Sequence, residues 1–191
     1  MKVMLSLAGE EIYEVSKEEE ARLVSPEVAA FIKKTIGGIF LLFPESKKFF
    51  KGVRYTKRLT SSLNPFDRML TLSTMSTGGT IAEAHLSQSK GNKDGFVVHN
   101  GTHEAFTALI VHEMAHFIDL SVKLRFKNND DVLSEWMHAK RDLRKQVGNP
   151  SEYAATHEGE WFAEQFTVEY MGVGKARPLF ALLHQFRDKE I

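Results

Sequence analysis

The clearest hydrophobic pattern lies in the second half of the chain, where apolar positions recur at helical spacing. Residues 105–120 are apolar almost all round and contain neither glycine nor proline, which predicts a buried helix. Residues 130–147 mix apolar and charged positions and predict an amphipathic helix, which a break at 148–150 ends. The same spacing predicts two more helices, at about 158–171 and 178–188.

The first half of the chain has a different pattern. A helix is predicted to begin with Ser25 as its N-cap and Pro26 at its first position, and to end at Gly37 and Gly38. Short alternating or β-branched stretches then sit between turn-rich segments and predict a small, mostly antiparallel sheet. The predicted strands are 53–57, 69–73, 80–85 and 95–99.

This order of elements, with a sheet first and helices after it, is typical of an α+β fold. Residues 1–191 contain no evident repeat or linker, which favours a single domain. We expect an N-terminal helix and sheet part at about 1–101 and a mainly helical part at about 102–191. Thr102 is the expected N-cap of the apolar helix.

The composition limits which residues could bind a metal ion and which partners the protein would attract. The chain of 191 residues has zero net charge and no cysteine. A bound zinc ion would therefore need histidine and carboxylate ligands. A basic run at 46–58 is typical of a solvated face, and without a ladder of aromatic residues we do not expect nucleic-acid binding.

Neither the N-terminus nor the longest apolar run predicts membrane insertion. The apolar run at the N-terminus is too short for a signal peptide, and the longest uninterrupted apolar run, 36–44, is far too short to span a bilayer. We therefore expect a cytoplasmic protein without a membrane partner. A removed leader, or delivery by a route that needs no signal peptide, stays open.

The strongest motif lies inside the apolar helix. Residues 112–116 read His-Glu-Met-Ala-His, the pattern H-E-x-x-H of a zinc-binding helix. His112 and His116 are one turn apart on one helix face, so both imidazoles can reach one metal ion. Glu113 is then placed to act as a general base toward a water molecule. Two core histidines satisfied by hydrogen bonds are the alternative, but burying this triplet without a metal is costly.

A catalytic zinc site needs a third protein ligand. A third histidine six residues after His116 is excluded, because Val122 occupies that position. Glu160 and Glu164 share one face of a later predicted helix and are flanked by large apolar residues. A buried pair of like charges indicates a nearby cation, so Glu160 is the predicted ligand and Glu164 its supporting neighbour. The alternative is that both carboxylates point into solvent.

These motifs together resemble the anthrax lethal factor family of zinc metalloproteases, which includes the Pro-Pro endopeptidases. The resemblance covers about residues 100–171: an H-E-x-x-H-x-x-D run at 112–119, then Tyr153 seven residues before the Glu-Trp-Phe-Ala-Glu run at 160–164. Trp161 departs from the family pattern, where a smaller aromatic residue is usual.

The resemblance implies a zincin-like fold and one Zn²⁺ per chain, held by His112, His116 and Glu160. It implies Glu113 as general base and Tyr153 as hydrogen-bond donor to the tetrahedral intermediate. Asp119 and Glu164 would support the ligands from behind. The family further suggests cleavage of an extended, proline-containing peptide.

Three functions stay open from the sequence. The first is a zinc endopeptidase that binds a protein or peptide as an extended strand beside a sheet edge, for which 95–100 is the predicted edge. The second is a catalytically silent zinc-site domain that serves as a binding or assembly module, such as a phage or toxin component. The third is a nucleic-acid-associated protein that uses the 46–58 run. The oligomeric state stays open, with a monomer as the expectation.

Overall fold

The computed structural model describes residues 3–7, 10–14, 24–57, 61–73, 79–91, 104–172 and 176–189. The strands are β1 (Val3–Leu7), β2 (Glu10–Glu14), β3 (Gly52–Thr56), β4 (Ser62–Asn64) and β5 (Met69–Ser73). The helices are α1 (Pro26–Leu42), α2 (Ile81–Gly91), α3 (Ala105–Arg125), α4 (Asp130–Val147), α5 (Glu152–Thr156), α6 (Glu158–Tyr170) and α7 (Pro178–Arg187), with a 3-10 helix at Pro44–Phe49 between α1 and β3. The protein is α+β and mostly helical.

The sheet is mixed and has the order β1-β2-β3-β5-β4. Strands β3 and β5 pair in parallel, and β4 pairs antiparallel with β5 at the end of the sheet. The predicted strands 53–57 and 69–73 are confirmed. The expectation of a mostly antiparallel sheet is wrong for its centre, because the chain between β3 and β5 crosses over through β4 instead of forming a direct hairpin.

The predicted strand 80–85 is wrong, since this segment begins helix α2. Thr80 and Glu83 form a reciprocal cap: the Thr80 N–H donates to the Glu83 carboxylate over 2.7 Å, and the Glu83 N–H donates to the Thr80 hydroxyl over 3.2 Å. Such a box satisfies two amides that a nascent helix leaves unpaired. The predicted strand 95–99 and the predicted cap Thr102 lie outside the described residues.

Helix α1 begins as predicted, with the Ser25 hydroxyl accepting the Val28 N–H over 3.2 Å. Its predicted end at Gly37 and Gly38 is wrong, because the helix continues to Leu42. A Cβ on Gly38 would lie 2.7 Å from the Tyr170 hydroxyl. The glycine therefore serves the close packing of α6 on α1 and does not end the helix.

Helix α3 forms the centre of the core and packs against α6, α1 and α2. Its length and apolar composition alone would suit a membrane span, but 67% of its most apolar window is buried inside the fold. This burial is typical of the core helix of a globular protein. Large side chains from α4 and α6 complete the packing, among them Trp136, Trp161, Phe162 and Phe166.

The predicted C-terminal helices are confirmed with small shifts at their ends. Helix α7 is fixed to α6 by Glu169, which is buried and accepts the Leu179 and Phe180 N–H groups, each over 2.9 Å. These two amides belong to the first turn of α7, where a helix has no acceptor of its own. The carboxylate thus caps α7 and holds α6 in place relative to it.

Candidate metal centre

Helix α3 presents His112 and His116 one turn apart on the face that meets α6. The two ring centroids lie 5.0 Å apart, with the ring planes at 82°. Both side chains are only partly buried, with 13% of His112 and 25% of His116 exposed. The helix geometry expected from the H-E-x-x-H spacing is therefore present.

Helix α6 brings Glu160 to the same place. Its Oε2 lies 3.1 Å from His112 Nε2 and 3.4 Å from His116 Nε2. Ligand atoms of these three residues lie within 4.8 Å of one another, so the group could hold a metal ion. The structure thus brings together the three residues that the sequence predicts as ligands.

Glu164 lies one turn further along α6, behind His112. Its side chain is 1% exposed, and its Oε1 lies 2.7 Å from His112 Nδ1. Since a carboxylate can only accept, Nδ1 carries the proton of this hydrogen bond. Glu164 therefore directs Nε2 of the same ring toward Glu160, which is the arrangement predicted for a residue that orients a ligand.

Glu113 is buried beside the ligand cluster and contacts the sheet. Its Oε2 accepts the backbone N–H of Leu63, in strand β4, over 2.9 Å. Burial raises the pKa of the Glu113 carboxyl, while His112, His116 and the Leu63 N–H act in the opposite direction. A carboxylate whose pKa is raised is better suited to exchange a proton near neutral pH. The contact with Leu63 was not predicted from the sequence.

Tyr153, on the short helix α5, lies over the His112 ring, with centroids 6.0 Å apart and planes at 29°. Burial and the carboxylates around it, that of Glu160 first, raise the pKa of Tyr153 to about 12. The phenol therefore keeps its proton at neutral pH and can donate it in a hydrogen bond. At present Glu160 is its hydrogen-bond partner.

The carboxylates and imidazoles of the cluster form a site that could hold a cation. Burial alone would lower the pKa of His112, but its hydrogen bonds to Glu160 and Glu164 outweigh that effect and raise it to about 9. The same contacts with the two histidines lower the pKa of Glu160, although its burial acts the other way. Without a metal, the protonated imidazole of His112 offsets part of the carboxylate charge. A metal cation would take the place of the proton on Nε2.

Asp119 has a different position from the one predicted. Its carboxylate accepts the indole N–H of Trp136 over 2.8 Å and forms ion pairs with Lys140 and Lys123 over 2.7 and 2.5 Å. It makes no hydrogen bond to a candidate ligand in the described part of the chain. The side chain faces α4 and fixes that helix to α3, and the expected support of the ligands by Asp119 stays a prediction.

Ser151 was missed by the sequence analysis. Its hydroxyl donates to Glu164 Oε2 over 2.9 Å and accepts the Ala154 N–H over 3.0 Å. The signal available in the sequence is a serine directly after the 148–150 break, where a helix cap is expected. That signal predicts the cap but not the contact with Glu164.

The donor set fits a divalent metal. Two imidazole nitrogens and one carboxylate oxygen are ligands that zinc and several other transition metals accept. A hydrogen-bonded residue stands behind one of the imidazoles, as in most protein metal sites. The geometry supports a metal site without identifying the metal.

Comparisons with models of known protein families, with curated proteins and with solved structures found no match. The family resemblance drawn from the motifs therefore stays a prediction.

Proposed function

We propose that the protein is a zinc-dependent endopeptidase. The observation that carries the proposal is the convergence of His112 Nε2, His116 Nε2 and Glu160 Oε2, with the carboxylate of Glu113 on the same helix beside them. A purely structural metal site needs neither a second carboxylate placed to accept a proton, as Glu113 is, nor a phenol above its ligands. The combination favours hydrolysis.

His112, His116 and Glu160 would hold the metal, and the mixed nitrogen and oxygen ligands make zinc the metal we propose. Bound zinc lowers the pKa of water toward neutral and polarises a carbonyl group. With three protein ligands, a position for water is left open. The proposal includes a zincin-like arrangement, in which helix α3 carries the motif and the later helix α6 carries the third ligand.

Glu113 is the proposed general base. One of its oxygens, Oε2, is held by the Leu63 N–H, and Oε1 is the atom proposed to take a proton from water. The same carboxyl then gives the proton to the leaving amine, so the protein returns to its starting state after each cycle.

Tyr153 is the proposed hydrogen-bond donor to the oxygen of the carbonyl under attack. Negative charge develops on that oxygen in the transition state, and a donor already in position stabilises it. Because the pKa of Tyr153 is about 12, the phenol is protonated across the neutral range. Its ring, placed over His112, keeps the hydroxyl on the side of the ligand cluster.

The proposed substrate is a protein or peptide segment in extended form. The predicted docking edge at 95–100 lies outside the described residues. Strand β4 offers another edge, because it ends the sheet and its Leu63 already contacts Glu113. The turn after β4 carries Phe66, which is 95% exposed. An extended segment that adds to such an edge gains main-chain hydrogen bonds.

Cleavage of a quenched-fluorescence peptide library by zinc-loaded protein tests this proposal. The matched control is Glu113→Gln, which keeps the size of the side chain and removes its capacity to accept a proton. We expect the wild type to cleave, and the variant to bind zinc as tightly but to lose hydrolysis. Full activity of Glu113→Gln would refute the assigned base. Zinc binding without cleavage of any peptide would favour the silent binding module.

A further inference from the structure

The hydroxyl of Ser151 connects two parts of the candidate centre: Glu164, which contacts His112, and the short helix that carries Tyr153. Ser151 precedes helix α5 in extended conformation, with φ −150° and ψ 169°. Its Oγ accepts the Ala154 N–H over 3.0 Å and donates its own proton to Glu164 Oε2 over 2.9 Å. A hydroxyl has one proton to donate and lone pairs to accept, so both bonds form at once.

The bond to Glu164 leads directly to a candidate ligand. Glu164 is almost completely buried, and each of its oxygens has a partner: Ser151 at Oε2 and His112 Nδ1 at Oε1. A buried carboxylate held at both oxygens has little freedom to rotate. It therefore fixes the orientation and the protonated nitrogen of the His112 ring, and leaves Nε2 to face a metal.

The bond from the Ala154 N–H to Ser151 belongs to the short helix that carries Tyr153. Helix α5 is a single turn of five residues, Glu152–Thr156, and carries Tyr153. A helix this short is not stable by itself and depends on its cap and its contacts. The Ser151 cap therefore helps to hold the backbone from which Tyr153 reaches over His112.

We propose that Ser151 is a positioning residue of the metal centre, which orients His112 through Glu164 and holds the turn that carries Tyr153. The inference rests on the proposed function, because it assumes that His112 binds a metal. Within the described part of the chain, Ser151 hydrogen-bonds to Glu164 and Ala154 and to none of the three candidate ligands. Its effect is confined to the geometry of His112 and Tyr153.

Three substitutions separate the two bonds. Ser151→Ala removes both the cap and the donor to Glu164. Ser151→Gly removes the same donor, but glycine is tolerated at a helix cap much better than alanine is. Ser151→Thr keeps a hydroxyl for both bonds and should restore them.

The control is Ser25→Ala. Ser25 caps α1 through Val28, so this variant loses a serine cap of the same kind on a helix that carries none of the candidate site residues. It reports the effect of a lost cap on stability alone. Circular dichroism of each variant confirms that it is folded.

The first readout uses the metal-free protein. The Nδ1 proton of His112, bonded to Glu164, should give a downfield resonance in the proton NMR spectrum, assigned with a ¹⁵N-histidine sample. We expect this resonance in the wild type, in Ser25→Ala and in Ser151→Thr. It should broaden or move in Ser151→Gly and Ser151→Ala.

The second readout is zinc affinity, measured by competition with a chromogenic chelator. Loss of a residue that supports a ligand typically weakens metal binding about 10-fold to 100-fold, and we expect this for Ser151→Gly and Ser151→Ala. Ser151→Thr and Ser25→Ala should bind as the wild type does. At saturating zinc, a lower kcat with unchanged KM in Ser151→Ala would report the loss of Tyr153 positioning.

A folded Ser151→Gly with wild-type zinc affinity and an unmoved His112 resonance would overturn the inference. An equal loss of zinc affinity in Ser25→Ala would overturn it as well, since the effect would then come from stability. A wild-type protein that takes up no zinc would instead refute the proposed function. In that case the His112 resonance in the metal-free variants still decides whether Ser151 orients the ring.

Discussion

The backbone N–H of Leu63 donates a 2.9 Å hydrogen bond to the Oε2 of Glu113, which lies 50 residues later in the chain. This contact joins β4, the strand at the end of the described sheet, to helix α3, which carries both candidate histidine ligands. It places the proposed general base against the edge at which we expect an extended substrate. The position of the base therefore depends on strand β4 as well as on helix α3.

Leu63→Pro tests this dependence. Proline removes the N–H that Glu113 accepts, and the edge position of β4 makes proline tolerable there. A catalytic group that is misplaced by about 1 Å can lose about 100-fold in rate, so we expect kcat for peptide cleavage to fall at least about tenfold. Zinc affinity should not change. Leu63→Ala keeps the N–H and serves as the control, and an equal loss of kcat in both variants would speak against the role of the contact.

Glu160→Ala should weaken zinc binding strongly, because it removes one of three protein ligands. The control is Glu158→Ala, two residues earlier on the same helix. Glu158 lies near Lys140 and Arg141 instead of the histidines, at 3.8 and 3.5 Å. Both variants lose one carboxylate, so chelator competition compares ligation with simple loss of charge. If Glu158→Ala weakens zinc binding and Glu160→Ala does not, the ligand assignment is wrong.

Tyr153→Phe should lower kcat for peptide cleavage, measured at saturating zinc. The substitution removes the phenolic hydroxyl and keeps the ring over His112. Loss of one donor to a developing oxyanion typically costs about 10²–10³ in kcat. Steady-state cleavage of a fluorogenic peptide measures the effect. Wild-type kcat in this variant would show that the hydroxyl has no part in the reaction.

Asp119→Asn should destabilise the fold in a pH-dependent way. Burial would raise the pKa of Asp119, but Lys140 and Lys123 outweigh it and lower the pKa. The charged form therefore adds stability above the unfolded-state pKa of about 4, and this contribution is lost as pH falls through the lower folded-state value. At neutral pH, a broken buried ion pair costs about 3 kcal/mol or more.

Urea unfolding at neutral pH and at about pH 3 measures this difference, which should shrink in acid. Asp142→Asn is the matched control. Asp142 also pairs with a lysine, Lys145, but both side chains are well exposed. Exposed pairs contribute little, so this variant should unfold as the wild type does. A difference between Asp119→Asn and wild type that stays constant with pH would contradict the assigned ion pairs.

The helices could be predicted from the sequence where periodicity and caps agree. The amphipathic segment that became α4 and the Ser25-Pro26 start of α1 are examples, since each depends on neighbouring residues alone. Helix α2 was missed because its first residues alternate like a strand. Its cap, Thr80 with Glu83, was the better signal.

The candidate site likewise has features that the local sequence predicts and contacts that it does not. The spacing of His112 and His116 within one helix fixes their relation, whatever the rest of the fold does. Glu160 could be proposed because a buried pair of carboxylates needs a cation. The contacts of Leu63 and Ser151 cross 50 and 13 residues of chain and depend on how the elements pack. Periodicity and local motifs contain no information about such contacts, and the different partners of Asp119 have the same origin.

The metal content of the purified wild-type protein tests the central claim most directly. Elemental mass spectrometry, before and after treatment with a strong chelator, measures it without knowledge of any substrate. We predict about one zinc per chain, lost on chelation and regained when zinc is returned, as three protein ligands at one site require. No zinc in the purified protein, and no uptake when zinc is offered, would contradict the proposed metal centre and the peptidase activity built on it.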